Sequence, residues 1–159
     1  MTQEELKSLL HYDPDTGIFV WTVKRGRHPS GREARCVNKA GYIVIRINQK
    51  LYLAHRLAWL YMHGDLPKEI DHINGIKSDN RISNLRPANR YQQMQNTKMR
   101  SHNKTGATGV THCKQTGKYA AEVRVDGKRI WLGRFDCLEL AGLVASEHRE
   151  KLHGKFART

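Results

Sequence analysis

IDHINGIKSDNRISNLRPANRYQQMQN, residues 70–96, is the stretch on which the reading of the whole chain turns. Its aliphatic residues are Ile70, Ile73, Ile76, Ile82 and Leu85, too few to make a folding core. A short apolar run ends in Asp71-His72, then come a loop rich in Asn, Asp and Gly, a brief Leu-Arg strand and an amide-rich helix. A segment this polar in mid-domain is expected to serve a site, and its side chains suit metal-assisted chemistry on phosphate. Cleaving a phosphodiester needs an attacking water, a base to deprotonate it and a cation to offset charge on the phosphorane and leaving oxygen. His72 titrates near neutral pH and suits the base. Adjacent strand residues point to opposite faces, so His72 is expected to face the water and Asp71 the metal. A carboxylate with neutral amide oxygens favours Mg2+ or Mn2+ over zinc. Further ligands are expected from Asn89, Gln92, Gln93 and Asn96, of which Gln93 and Asn96 share a helix face.

The remaining composition agrees with a polyanionic partner. The 159 residues carry 28 Lys and Arg against 15 Asp and Glu, a formal net charge of +13, which points to nucleic acid. No apolar run approaches the roughly 20 residues of a membrane span. The opening Met1-Thr2-Gln3-Glu4-Glu5 has no signal character, so the chain reads as cytoplasmic. Cys36, Cys113 and Cys137 are odd in number and scattered, giving neither a disulfide framework nor a zinc clamp, so no structural zinc is expected.

Upstream of the decisive stretch, a Thr2-x-x-Glu5 capping box followed by Leu6, Leu9 and Leu10 predicts a short helix. Asp13-Pro14-Asp15-Thr16-Gly17 is turn chemistry, and Ile18-Phe19-Val20-Trp21 reads as a strand. Lys24, Arg25, Arg27, Arg32 and Arg35 punctuate a basic loop, either simply solvated or touching a DNA backbone. Residues 41–47 and 50–53 read as two strands joined at Asn48-Gln49. Leu57, Leu60 and Tyr61 mark a helix ending at Gly64. His55 heads it, a position where histidine is more often structural than catalytic.

The order strand-Asp-His, Gly/Asn loop, Asn-Leu-Arg strand, amide helix, preceded by AHRLAW, resembles the HNH motif of phage and intron-encoded homing endonucleases. YDPDTGIFVW and GYIVIRI resemble the N-terminal portion of such phage proteins. The resemblance implies a ββα-metal finger over about residues 69–97, with His72 as general base and Asp71 as metal ligand. It makes Asn84 the motif's middle asparagine, which holds the loop and orients the base without binding metal. The final position, an asparagine or histidine in the homing branch, falls on Gln93, with Asn96 one turn later as a rival. A glutamine there alters metal affinity or geometry.

Residues 98–108 read as a basic linker in which Lys98, Arg100 and Lys104 could track a DNA backbone. Beyond it, residues 109–159 pattern as three strands with a hairpin at Asp126-Gly127, then a helix over residues 138–152 with Asp136 as candidate N-cap. TGVTHCKQTGKYAAEVRVDGKRIWLGRFDCLELAGLVA resembles the AP2 DNA-binding domain. That family's exposed sheet face enters the major groove, which makes His112, Lys114, Lys118, Glu122, Arg124, Lys128, Arg129 and Trp131 candidate DNA contacts. Glu122 could equally pair with Arg124, and Trp131 could belong to the core. Residues 98–159 hold 13 Lys and Arg against 6 Asp and Glu, denser in positive charge than residues 1–97, as a DNA anchor would be.

The expectation is an α+β protein: an HNH domain over residues 1–97 preceded by a small antiparallel sheet, a linker over 98–108, and an AP2-like domain over 109–159. Its expected activity is Mg2+- or Mn2+-dependent nicking of double-stranded DNA as a monomer or weak dimer. A phage-encoded protein acting in the host cell is implied. The alternative is a DNA-binding regulator or architectural protein with a degraded HNH site.

Overall fold

In the computed structural model, residues 1–24, 29–96 and 103–157 are described. Arg25, Arg27, Lys98 and Arg100 lie outside them. The chain divides into two compact units, Met1–Asn89 and Arg90–Thr159. Both mix helices with small antiparallel sheets, and no described helix is long and apolar enough to cross a membrane.

The first unit opens with α1 (Gln3–Leu9), whose capping box is present in full: Thr2 Oγ1 accepts from Glu5 N–H at 3.1 Å, and Thr2 N–H donates to the Glu5 carboxylate at 2.8 Å. Leu10 does not continue the helical stripe. It begins β1 (Leu10–Asp13), which pairs antiparallel with β2 (Ile18–Trp21). The strand period wins because Leu10 and Tyr12 are both buried while His11 between them is exposed. The turn between the strands is tied by Asp13, whose side chain accepts from Asp15 N–H and Thr16 Oγ1.

A three-stranded sheet follows, ordered β3 (Cys36–Val37), β4 (Ile43–Ile47), β5 (Lys50–Leu53). Asn48 and Gln49 both take positive φ, +46° and +65°, the mark of a two-residue hairpin turn whose twist matches its strands. Arg46 is exposed between buried Ile45 and Ile47, as the alternation predicts. Helix α2 (Ala54–His63) comes directly from β5 and ends at Gly64. Then β6 (Glu69–His72) pairs with β7 (Leu85–Ala88) across the polar loop. Leu6, Leu10, Tyr12, Phe19, Ile45, Leu57, Leu60, Ile70 and Leu85 belong to one core, so Ile70 and Leu85 anchor the polar stretch to the hydrophobic interior.

The expected strand-strand-helix grouping straddles the division of the chain: β6 and β7 belong to the first unit, and α3 (Arg90–Gln95) to the second. The second half of the stretch read as a linker is an ordered turn built on Asn103. The Asn103 carboxamide accepts from Thr105 N–H and Gly106 N–H and donates to Ala107 O, while Thr105 Oγ1 donates to Val110 O. Asn and Thr side chains organise local backbone in this way, a signal that basic composition obscures.

Beyond it, β8 (Val110–His112), β9 (Tyr119–Val125) and β10 (Lys128–Phe135) form an antiparallel sheet in the order β10-β9-β8. Helix α4 (Leu138–His153) buries Ala141 and Ala145 against Ala121 of β9 and Val110 of β8, and small residues permit that close approach. Asp136 does not cap α4. Cys137 occupies the cap position without a side-chain bond, and Asp136 pairs with Lys118 at 3.0 Å instead.

Candidate active site

Strand register sets the relation between Asp71 and His72. Asp71 lies directly opposite Arg86, and His72 opposite Leu85. Paired residues share a face and neighbours alternate, so the two side chains diverge as expected. What each meets differs from expectation. The Asp71 carboxylate is taken by Arg86, whose Nε and Nη2 both donate to Oδ2 at 2.9 and 2.7 Å. The side chains of both residues are nearly buried, 12% exposed for Arg86 and 11% for Asp71, so solvent screens the pair weakly.

His72 faces inward rather than toward solvent and is 5% exposed. Its ring lies 5.0 Å edge-on from that of His55 and 6.1 Å from that of Tyr42. Burial pushes its pKa below the ordinary histidine value, against the opposing hydrogen bond to Asn80 Oδ1 and the nearby Asp71 and Asp79 charges. The ring is therefore neutral at neutral pH, the state a proton acceptor requires.

The loop between the strands is held by its asparagines. Asn84 Oδ1 accepts from Asn74 N–H at 3.0 Å, and Asn84 Nδ2 donates to Asp79 O at 2.8 Å. Asn74 in turn bonds Asp79 at 2.7 Å and accepts from Ile76 N–H at 2.8 Å. Arg81 grips Asp79 through Nε and Nη2, holding that carboxyl down to about 2. Asn84 thus braces the loop through these two hydrogen bonds. The residue bonded to the His72 ring is a different one, Asn80, through Oδ1 to Nε2 at 3.2 Å.

The loop also rests on the first hairpin. Tyr12 Oη donates to Asn80 O at 2.6 Å, and Ile82 N–H donates to Pro14 O at 3.1 Å. Gly17 lies so close to the 80–81 backbone that a Cβ there would fall 2.4 Å from Arg81 N. The turn at residues 13–17 therefore forms the bed of the loop.

His55, read from sequence as structural, is the second imidazole of this cluster. It is buried, and its Nδ1 finds no hydrogen-bond partner among the described residues. Burial first, then the His72 and Arg56 charges, push its pKa down to about 3. The sign of the stability linkage follows. The unfolded ring takes a proton near pH 6.5 and the folded ring near 3, so the contribution is complete above about 6.5 and drains away as pH falls toward 3. Denaturant unfolding of the wild type should lose up to roughly 1.4 kcal/mol per pH unit through this group. His55→Phe should show a shallower loss between pH 6.5 and 5, and an identical slope would contradict the assignment.

Among the described residues, no three His, Cys, Asp or Glu side chains gather as a metal-holding group. The Asp71 carboxylate and the loop's amide oxygens are hard-oxygen donors of the kind Mg2+ or Mn2+ takes, but Arg86 bonds Asp71 Oδ2 and the Asn74 and Asn84 oxygens accept loop N–H groups. Gln93 is half-buried on α3 and Asn96 is buried just after it, with Asn96 N–H donating to Gln92 O at 3.3 Å. Both belong to the second unit.

Residues 52–95, from the end of β5 through α2, β6, the asparagine loop and β7 into α3, match the family model for HNH endonuclease. Over 106 residues, 65% of this chain and 87% of the relative, the sequence is 32% identical to Protein 3.8 of Escherichia phage T7. The chain belongs to that phage protein's family and carries an HNH endonuclease domain. No solved structure matches it. His55, Asp71, His72, Asn80, Asn84 and Gln93 all fall within the HNH match, while Asn96 lies one residue beyond it.

The DNA contacts expected in the second unit separate by strand register. Arg124 pairs with Arg129, Glu122 with Trp131 and Ala120 with Arg134, so these side chains share the face away from buried Ala121 and Val123. Arg129 Nε lies 3.3 Å from Glu122, and the Arg134 guanidinium sits 5.8 Å from the Trp131 ring centroid. Trp131 is 54% exposed and so is not a core residue. Lys128 and His112 pair with Val125 and Tyr119 and alternate to the opposite side. Lys114 is exposed beyond β8, Lys118 is engaged by Asp136, and Lys104 is exposed in the Asn103 turn. Arg134 was not among the residues to which the AP2 resemblance pointed, and the register shifts between Trp131 and Gly133. The shift brings an even-numbered residue onto the odd-numbered face, and Gly133 takes φ +133° there.

Proposed function

We propose that the chain is a divalent-ion-dependent DNA endonuclease of the nicking, homing type, with His72 as general base. The observation that carries this reading is a buried imidazole, held by an asparagine loop next to Asp71 inside the HNH segment. His72 takes the proton of the attacking water, and Asn84 keeps the loop closed around it. Asp71, Gln93 and Asn96 are the candidate ion ligands named from the sequence. When bound, Mg2+ or Mn2+ would offset charge on the phosphorane and the leaving oxygen. One site per chain cuts one strand, so a double-strand break requires a dimer or two successive events.

An AP2-like DNA-reading role for the second unit rests on Arg124, Arg129, Trp131 and Arg134 sharing one exposed sheet face. Arg134→Ala should weaken duplex binding a few-fold and reduce the slope of log affinity against log salt by about one. Fluorescence anisotropy across a salt series reads both, and an unchanged slope would remove Arg134 from the contact set.

The test of the reading is strand cleavage of end-labelled duplex DNA containing the target, in Mg2+ and in Mn2+. Shortened product from one strand is expected. Stable binding with both strands intact under both ions would establish a DNA-binding protein with a degraded nuclease site instead.

A further inference from the structure

We propose that Lys77 is the residue of the polar loop that receives a DNA backbone phosphate, its ammonium held for this by the Ala40 carbonyl and the face of Tyr42. The contact deepens the endonuclease reading, and only its place beside the cut rests on that reading.

Residues 70–88 contain three permanent cations, Lys77, Arg81 and Arg86. Two are met by carboxylates: Arg86 bonds Asp71 at 2.7 Å, and Arg81 bonds Asp79 at 2.6 Å. Their charge is cancelled locally. Lys77 differs. Its Nζ donates to Ala40 O at 3.0 Å and lies 4.8 Å from the centroid of the Tyr42 ring, and neither partner carries a charge. Among the described residues no carboxylate forms an ion pair with it. An ammonium has three N–H donors, so a carbonyl and a ring can hold it while its charge and its other donors serve an anion.

The turn that seats Lys77 is closed by its own hydrogen bonds. Asn38 Oδ1 accepts from Ala40 N–H and Tyr42 N–H, both at 3.0 Å. Asn38 N–H donates to Tyr42 O, and Gly41 N–H to Asn38 O, both at 2.9 Å. The lysine stem follows this turn, with Cδ 4.0 Å from the position a Gly41 Cβ would take. An exposed lysine ordinarily loses much rotamer freedom when it binds an anion, and these contacts have already restricted it. Lys39, exposed in the same turn, adds a second positive charge. The Tyr42 ring also lies 6.1 Å from that of His72, so one aromatic ring has both the ammonium and the imidazole as neighbours. That places a phosphate on Lys77 at the HNH segment's own site. Lysine meets phosphate as a point charge and reads no base, so the partner is the DNA backbone.

The first measurement is duplex binding by the full chain in EDTA, read by fluorescence anisotropy of a labelled duplex across a salt series. Lys77→Gln keeps an N–H for Ala40 O and removes the charge. It should lower the slope of log affinity against log salt by about one and weaken binding a few-fold at low salt. A lysine that only ties the loop to the turn would leave that slope unchanged. Lys77→Arg keeps the charge and should keep the wild-type slope. Lys77→Met, which keeps the stem without the charge, takes the place of Lys77→Gln if that variant does not fold. The second measurement replaces single phosphates around the cut, located in Mg2+, by neutral methylphosphonates. One beside the cut should weaken wild-type binding and leave the uncharged variant unaffected. An unchanged slope in the uncharged variant, an equal loss in Lys77→Arg, or additive losses at every methylphosphonate position would overturn the proposal. If the wild type cuts neither strand, the endonuclease reading fails, and the salt slopes still decide whether Lys77 meets phosphate.

Discussion

Replacing His72 by alanine is expected to lower the single-turnover rate of DNA strand cleavage by about 10²- to 10⁴-fold, the usual contribution of a positioned general base. The loss belongs in the chemical step. His72 is 5% exposed and packed against His55 and Tyr42, so it is not a surface anchor for the DNA backbone. Duplex affinity should therefore stay near the wild-type value, and this separates His72→Ala from Arg134→Ala, which acts on binding. Alanine also removes a ring from a packed cluster, so the comparison belongs at a temperature where circular dichroism shows both proteins folded. A variant that is folded, binds DNA and cleaves at the wild-type rate would remove His72 from the mechanism.

The second large effect is expected far from residue 72 in sequence. Gly17 takes φ +74°, and a Cβ there would lie 2.4 Å from Arg81 N and 2.5 Å from Asn80 C. Both are backbone atoms, fixed by the Tyr12–Asn80 and Ile82–Pro14 hydrogen bonds, so neither can move aside as a side chain could. Gly17→Ala should cost about 4 kcal/mol or more, the range in which a backbone clash adds to left-handed strain. Gly31 supplies the control. It has a similar φ of +82°, but nothing lies within 4 Å of its Cβ position, so Gly31→Ala should cost only about 1–2 kcal/mol. Urea unfolding of the two variants measures the difference. Equal costs would mean that the hairpin turn does not support the 80–81 backbone.

These two effects show what local sequence carries and what it does not. The Thr2 capping box, the Asn48-Gln49 turn, the alternation around Arg46 and the Asn103 turn are all written within a few neighbouring residues, because caps, hairpins and Asx turns close over short spans. Composition hid the last of them until its hydrogen bonds were seen. Asp71, His72 and Asn84 were singled out by the order of the HNH motif. Asn80 stood in the same loop without distinction, since SDNRISN offers two asparagines and only the fold decides which one meets the imidazole. Arg86 as partner of Asp71 needs the β6–β7 register, and His55 beside His72 needs α2 to pack on that hairpin. Tyr12 and Gly17 act on residues more than 60 positions away. Pairwise register and packing at such separation leave no periodic trace in one sequence, and Arg134, set on its face by a bulge, was not among the residues read as DNA contacts.

Arg86 sharpens the ion question. Its two hydrogen bonds to Asp71 Oδ2 give the proposed ligand a strong competitor for any cation. The glutamine at position 93 stands where the resemblance to the homing branch implies asparagine or histidine.

The most direct measurement of the central claim is the fate of supercoiled plasmid carrying the target, incubated with excess protein in Mg2+ or Mn2+ and, in parallel, in EDTA. The account predicts conversion to open circles with either ion, arrest by EDTA, and loss of conversion in His72→Ala. Plasmid that is bound by the wild-type protein yet remains supercoiled in both ions would contradict it.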